Sequence, residues 1–178
     1  MRTFAVMAAV LTLVLAFAVL VQCAKKDANR GDDDAAGDDS SGAVRNPSQS
    51  DCQSGGKGDG YTKEEAFTIR FADGVLLFHH DYSCRNCGFA FHGAYEVAGD
   101  SVSVYEEDVS PVPAGCDCFF SLDYEVPGVQ AGATYVARVY GVDHWEGASG
   151  EPWLILERTL DLSTQTEFTF SLGEKTCI

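Results

Sequence analysis

Positively charged side chains are scarce in this sequence of 178 residues. It contains 12 Lys and Arg against 27 Asp and Glu, which gives a formal net charge of −15 at pH 7. Nucleic-acid binding requires a basic surface that neutralises phosphates. We therefore expect no nucleic-acid partner, and the acidic composition leaves cations, basic proteins and neutral glycans as possible ligands.

Catalytic motifs are missing as well. The chain has no H-E-x-x-H zinc-protease motif, no phosphate-binding Gly-rich loop before a helix and no G-x-S-x-G elbow. His79 and His80 are adjacent, so on a strand they face opposite sides and at most one of them can join any one site. The acids at 106–108 are expected to form a charged strand end that blocks edge pairing, with a carboxylate pair or cation site as the alternative. The sequence therefore predicts that the protein is not an enzyme.

Sustained helical periodicity is absent after residue 52, whereas apolar and polar residues alternate repeatedly. A period of two is typical of half-buried β-strands. The pattern predicts an all-β fold, an antiparallel, immunoglobulin-like β-sandwich of about eight strands, with an up-and-down barrel as the alternative. The predicted strands cover residues 65–71, 75–82, 88–97, 101–107, 118–126, 134–142, 153–160 and 166–172.

One long apolar run stands at the N-terminus. Residues 4–21 contain a single polar residue, Thr12, and follow Arg2, which is typical of an export signal. The next residues complete Leu20-Val21-Gln22-Cys23, which resembles the lipobox of bacterial lipoproteins. The resemblance implies that residues 1–22 are a signal peptide, that Cys23 is lipidated, and that the remainder is tethered in the cell envelope. It also implies an outer-membrane location if the organism is Gram-negative, because Ala24 follows the cysteine. An uncleaved anchor and ordinary secretion are the alternatives.

Two regions follow the signal. Residues 24–51 contain seven Asp, no aromatic residue and one aliphatic residue, Val44, so residues 23–51 are predicted to be a lipidated cysteine plus a disordered acidic linker. Residues 52–178 have the size of a single domain, with seven Lys and Arg against twenty Asp and Glu, a net charge of −13. We expect this domain to be the β-sandwich, held at the membrane by its N-terminal lipid rather than by its own surface.

Six cysteines fall within this domain. An even number in an exported domain predicts disulfides. Cys116 and Cys118 lie two residues apart on one face of a strand, which places their Cα atoms about 6.6 Å apart. This distance is at the outer limit for a disulfide, so each is expected to pair with another cysteine. The preferred pattern pairs Cys52 with Cys177 at the two ends of the domain and links the C-x-x-C pair (Cys84 and Cys87) to the C-x-C pair (Cys116 and Cys118). The six residues are Cys52, Cys84, Cys87, Cys116, Cys118 and Cys177.

The same cysteines offer an alternative, a metal site. Converging C-x-x-C and C-x-C motifs could form a tetrahedral thiolate site for zinc or a soft site for cuprous copper. Neighbouring histidines could supply imidazole ligands. No cofactor is expected if the disulfides form. The candidate ligands are Cys84, Cys87, Cys116, Cys118, His79, His80 and His92.

Residues 86–140 combine an N-C-G start, the strand C-D-C-F-F-S-L-D-Y-E-V and the segment G-A-T-Y-V-A-R-V-Y. This pattern resembles uncharacterised bacterial lipoproteins and secreted β-sandwich domains described as NigD-like. The resemblance implies a sandwich in which Cys84 or Cys87 lies near Cys116 and Cys118. It implies no known activity.

A Gly-rich segment, residues 142–153, holds both tryptophans of the chain beside acidic residues. Loops at the end of a sandwich commonly bind ligands, and aromatic rings beside acids suit a sugar or a basic partner. The alternative is that Trp153 starts a core strand and Trp145 caps the sandwich. We therefore predict a membrane-anchored binding or structural module with a protein or glycan ligand; a metal-binding lipoprotein and a cell-envelope enzyme are the alternatives. The predicted loop residues are His144, Trp145, Glu146, Glu151 and Trp153.

Overall fold

Ten β-strands in two five-stranded sheets form the part of the chain that the structure describes. The structure is a computed structural model that describes residues 39–53, 61–111, 115–145 and 150–177, all within the unit Gly37–Ile178. None of these residues is helical, and the predicted all-β sandwich is confirmed. The strands are β1 (Ser40–Ala43), β2 (Arg45–Gln49), β3 (Tyr61–Ala72), β4 (Val75–Asn86), β5 (Phe91–Ala98), β6 (Ser101–Asp108), β7 (Asp117–Pro127), β8 (Thr134–Asp143), β9 (Trp153–Asp161) and β10 (Glu167–Cys177).

The N-terminal predictions concern residues beyond the described ranges. The signal peptide (residues 1–22), the lipidation residue Cys23 and the linker up to residue 38 all lie outside them. Among the residues that the structure does describe, no helix has the length and apolar character needed to cross a membrane.

The chain passes between the two sheets five times from β1 to β10. The first sheet has the order β1-β5-β6-β8-β9, and the second has the order β10-β3-β4-β7-β2. Neighbouring strands are antiparallel except β6 and β8, which pair in parallel. The parallel pair arises because the chain leaves the first sheet for β7 and returns to it in the original direction.

Alternating burial along the strands forms one apolar core between the sheets. In β6, Val102 and Val104 are fully buried while the serines beside them are partly exposed. Successive strand residues face opposite sides, so each strand contributes every second side chain to the interior. Side chains from both sheets meet there: Phe67, Phe78, Leu122 and Tyr124 from the second sheet, and Val139, Leu156 and Leu160 from the first.

A β-bulge interrupts this alternation in β4. The pairing of β4 with β7 shifts between His80 and Ser83, and Tyr82 adopts a positive φ of 56°. Before the bulge the even-numbered side chains point inward and end with His80; after it, Ser83 and Arg85 are the buried ones. The extra residue therefore exchanges the faces of the strand. His80 and Arg85 both enter the interior, and Cys84 faces the other way.

Residues 40–49 were predicted as part of a disordered linker, but they form the edge strands β1 and β2. β1 pairs with β5, and β2 pairs with β7. Between them, Val44 is 6 % exposed and its backbone N–H donates to the carbonyl oxygen of Gly93 over 2.9 Å. The Val44 side chain fills the space that a Cβ at Gly93 would need. The amino-acid composition did not predict these strands, because an edge strand pairs through its backbone groups and needs little apolar side-chain area.

All six domain cysteines form disulfides, but the predicted pairing of Cys52 with Cys177 is wrong. Cys177 ends β10 and Cys52 follows β2, and these strands are the opposite edges of the second sheet, about 19 Å apart at the usual strand spacing. The predicted cross-link between the C-x-x-C pair and the C-x-C pair is confirmed for Cys87 and Cys116. Cys84 and Cys118 are bonded to cysteines outside these two pairs. The disulfides are Cys52–Cys118, Cys84–Cys177 and Cys87–Cys116.

We predict that Val44→Asp lowers the free energy of unfolding by about 2–4 kcal/mol, because it buries a carboxylate where a valine fills the edge of the core. Ala43→Asp is the matched control, since Ala43 is exposed, and it should change stability by less than about 0.5 kcal/mol. Urea unfolding measures both variants. Equal stability of the two would contradict the role given to Val44.

Candidate functional site

Five strand ends converge at one end of the sandwich and enclose a pocket of about 260 Å³. β4, β6 and β8 end there, while β7 and β9 begin there. We call this site the tryptophan pocket, because both tryptophans of the chain line it. Its lining residues are Cys84, Arg85, Asn86, Asp108, Asp117, Asp143, Trp145 and Trp153.

Trp153 is the fixed aromatic wall of the pocket. It is paired across the strands with Gly141, and its indole lies where a Cβ at Gly141 would stand. The guanidinium carbon of Arg85 lies 5.1 Å from the Trp153 ring and 5.4 Å from the Phe89 ring. These contacts orient the indole, yet 41 % of Trp153 remains exposed. The ring is therefore held in place while part of it stays open to a ligand.

Carboxylates form the rest of the pocket wall. Asp108 is buried and structural: it accepts hydrogen bonds from Asn86 Nδ2 at 2.7 Å and from the Ser110 amide at 2.9 Å. Asp143 is half-buried; burial and the nearby charge of Asp108 raise its pKa, although Arg85 and the Trp145 indole oppose this. Two like charges thus share a partly desolvated space, which favours a ligand that brings positive charge.

The one guanidinium in the pocket wall is already paired. Arg85 Nη2 donates to Glu106 Oε2 over 2.9 Å, and the two side chains are 7 % and 0 % exposed. Its Nε also donates to Ser83 Oγ over 3.0 Å. Because Glu106 compensates the Arg85 charge, the carboxylates dominate the electrostatic character of the pocket.

Behind the pocket, a buried ionic network joins the two sheets. Glu106 on β6 belongs to the first sheet, whereas its partners belong to the second. It receives hydrogen bonds from His80 Nδ1 at 3.0 Å and from the Tyr124 hydroxyl at 3.0 Å, besides that from Arg85. His80 Nε2 contacts Glu65 Oε1, also at 3.0 Å, and Phe67 stacks on the imidazole at 3.9 Å between centroids.

The contacts of His80 in this network favour its charged form, with a proton on each ring nitrogen. Both ring nitrogens face carboxylate oxygens, and an ionised carboxylate can only accept, so both nitrogens donate. Burial opposes the charged imidazole, but Glu106 and Glu65 outweigh it and raise the pKa of His80 above 6.5. For Glu106, burial favours the neutral acid, but His80 and Arg85 hold its pKa below the ordinary value. Two cations and two carboxylates therefore balance in the interior.

A second cleft of about 240 Å³ adjoins the network between β9 and β10. Arg85 and Trp153 line both this cleft and the tryptophan pocket. The Oε2 atom of Glu65 is buried there without a hydrogen bond from the described residues, and Lys175 Nζ lies 3.7 Å away. Leu154, 53 % exposed, forms part of its wall. The cleft therefore extends the exposed apolar surface beside the tryptophan pocket.

The predicted binding loop is brought together in part. Trp145 and Trp153 both line the pocket. His144 instead lies 3.6 Å from Glu107, and Glu151 is exposed in the segment before β9. Glu146 lies outside the described residues. The expectation that Trp153 could start a core strand is half right, because it begins β9 but remains partly exposed.

The histidines proposed as alternative metal ligands are occupied by acids. His79 lies 3.0 Å from Asp81 and 2.7 Å from Asp123 through its two ring nitrogens. His92 Nδ1 lies 2.6 Å from Glu107, at an exposed position on β5. With His80 inside the ionic network, the three imidazoles stand in three separate environments rather than around the cysteines.

Sequence reasoning missed Glu106 and Arg85. The acids at 106–108 were interpreted as a charged strand end, but Glu106 is fully buried. A signal existed: the inward positions of β6 run Val102, Val104, Glu106, so the alternation itself points the carboxylate inward. Arg85 carried no such signal, because the β4 bulge that turns it inward is not visible in the pattern.

Among known proteins, no protein-family model, no curated protein and no solved structure matches this chain.

We predict that the free energy of unfolding falls as the pH rises above 6.5. His80 has a raised pKa in the folded state, so its contribution is fully present below its unfolded-state value and is lost as the pH rises through the folded-state pKa. Chemical denaturation between pH 6 and 9 measures the slope, and His80→Gln should abolish most of it.

His79→Gln is the control for this experiment. The pKa of His79 is also raised, but its side chain is 39 % exposed, so solvent screening should leave it a smaller share of the slope. An unchanged slope in His80→Gln would contradict the assignment of a buried imidazolium.

Proposed function

We propose that the protein is an exported, membrane-tethered binding module whose tryptophan pocket receives a cationic group of a peptide or protein ligand. The observation that carries this proposal is the convergence of Trp145 and Trp153 with three carboxylates around one pocket, while the only guanidinium among its lining residues is paired with Glu106. Aromatic faces and carboxylates together recognise ammonium and guanidinium groups.

The charge of the whole chain supports the same ligand class. A net charge of −15 creates a negative potential that attracts cations and accelerates their encounter. Within the pocket, a bound cation would reduce the repulsion between Asp143 and Asp108. It would also offset the free-energy cost of the partial desolvation of the Asp143 carboxylate. A neutral glycan would stack on the indoles but would relieve neither.

A role in binding rather than catalysis fits His79 and His80, because both ring nitrogens of each already contact carboxylates. A general base needs a ring nitrogen that can take a proton from a substrate. His80 is enclosed with both nitrogens on carboxylates, and both nitrogens of His79 also contact acids. We therefore propose that the protein is not an enzyme and works without a cofactor in its disulfide-bonded form.

The tether is proposed to be the lipid on Cys23. The lipobox-like sequence supports attachment in the cell envelope, at the outer membrane if the organism is Gram-negative. Ser40 begins the first strand, so sixteen residues separate it from Cys23. If these residues form the coil that their composition predicts, they would span about 22 Å and hold the pocket away from the lipid surface.

Intrinsic fluorescence tests the ligand class directly, because the only two tryptophans of the chain line the pocket. We expect saturable changes with N-acetylated Gly-Lys-Gly and Gly-Arg-Gly amides and none with N-acetylated Gly-norleucine-Gly amide, which carries no charge. Asp143→Asn should weaken binding of the basic peptides about tenfold or more, about 1.4 kcal/mol.

Asp100→Asn is the matched control, since Asp100 is exposed in the turn before β6, at the other end of that strand. It should leave the affinity unchanged. Saturation by chitooligosaccharides with no response to basic peptides would replace the cationic ligand with a glycan, and no response to any probe would refute the pocket as the binding site.

Cys23→Ser tests the tether. The variant should lose incorporation of labelled fatty acid, because the thiol that accepts the lipid is gone. Ala24→Ser retains the thiol and should stay labelled and membrane-bound. Fatty-acid labelling that persists in the Cys23→Ser variant would contradict lipidation at this residue.

A further inference from the structure

Two disulfides of the domain touch each other. Cys118 Sγ lies 2.9 Å from Cys87 Sγ, although Cys118 is bonded to Cys52 and Cys87 is bonded to Cys116. The Sγ atoms of Cys52, Cys87 and Cys118 all lie within 4.8 Å of one another. Since the fourth sulfur is bonded to Cys87, the four sulfurs form one group, which we call the sulfur cluster.

The backbone holds these four residues together independently of the disulfides. The Cys87 amide donates to the Cys116 carbonyl oxygen over 2.8 Å, and the amide of Gln53, next to Cys52, donates to the Phe119 carbonyl oxygen over 2.9 Å. Cys118 is paired in register with β4. Opening the disulfides would therefore leave four thiols close together, because the strand pairing that aligns them does not involve sulfur.

The spacing suits a tetrahedral metal ion. Zinc–sulfur bonds of about 2.3 Å place the sulfurs of a tetrathiolate site about 3.8 Å apart. This separation is within the 4.8 Å that already encloses the sulfurs of Cys52, Cys87 and Cys118, and the Cys116 sulfur is bonded to that of Cys87. Cys52 and Cys116 are exposed while Cys118 is 1 % exposed, so an ion can enter from solvent and reach a partly enclosed site.

We propose that the reduced sulfur cluster is a binding site for Zn²⁺, with Cys52, Cys87, Cys116 and Cys118 as its four ligands. Each disulfide would take two electrons and two protons from an external dithiol, which becomes a disulfide itself. The ion then binds the four sulfurs as thiolates and displaces their protons to solvent. The same four residues thus have an oxidised state with two covalent cross-links and a reduced state with one metal cross-link.

This ligand set differs from the one predicted from spacing. Cys84 was expected to be a ligand, but the β4 bulge turns it away and it pairs with Cys177 on β10. Cys52, which follows β2, takes its place. The Cys84–Cys177 disulfide therefore supplies an internal control, since it has the same chemistry but lies outside the sulfur cluster.

Cobalt titration tests the site. The chain is prepared with Cys23→Ser so that the seventh thiol cannot contribute, reduced with a phosphine that binds zinc weakly, and titrated with Co²⁺ under nitrogen. We expect one equivalent of Co²⁺ per chain with the visible absorption of tetrahedral tetrathiolate cobalt, and its loss when Zn²⁺ is added. Reduced protein without such a spectrum would overturn the proposal.

Two variants locate the ligands. Cys52→Ser should weaken cobalt binding at least tenfold, whereas the double variant Cys84→Ser/Cys177→Ser should bind as tightly as the parent. Equal loss in both would overturn the assignment. If the reduced chain unfolds without metal, far-ultraviolet circular dichroism is recorded instead: restoration of the β signal by one equivalent of Zn²⁺ supports the site, and failure to restore it overturns the site.

Discussion

The fully buried carboxylate of Glu106 connects the two sheets of this sandwich. It leaves the first sheet and accepts hydrogen bonds from three side chains of the second, His80, Arg85 and Tyr124. Apolar packing between sheets is non-directional, so it tolerates sliding of one sheet over the other. Directional hydrogen bonds to a fully desolvated charge do not, because any slide leaves that charge without partners. We regard this network as the feature that fixes how the sheets are aligned.

The same network reaches the surface through Arg85. On one side its guanidinium compensates Glu106, and on the other it lies against the rings of Phe89 and Trp153. The position of the pocket's aromatic wall therefore depends on an ion pair in the interior. Glu106 also removes the effect of the one positive charge in the pocket wall, which leaves Asp143 and its neighbours to determine what binds there.

Much of the fold could be predicted from periodicity, and the parts that could not depend on contacts between segments distant in sequence. Strand β6 alternates strictly, and its inward face could be read directly from the sequence. Val44 and the edge strands beside it were missed because their pairing is made by backbone groups, which leave no compositional trace. The pairing of Cys52 with Cys118 was missed because it depends on strand order within a sheet, and strand order is set by contacts distant in sequence.

The bulge in β4 acts on the strand as a frameshift acts on a reading frame. Upstream of it one set of alternate residues is internal; downstream the other set is, and Cys84 and Arg85 occupy the positions that this shift assigns to them. Loss of one residue from the bulge would return the downstream half to the first frame, with a cysteine inside and the guanidinium in solvent. Point substitutions near Tyr82 leave the frame intact. This short segment should therefore accept changes of residue type far more readily than changes of length.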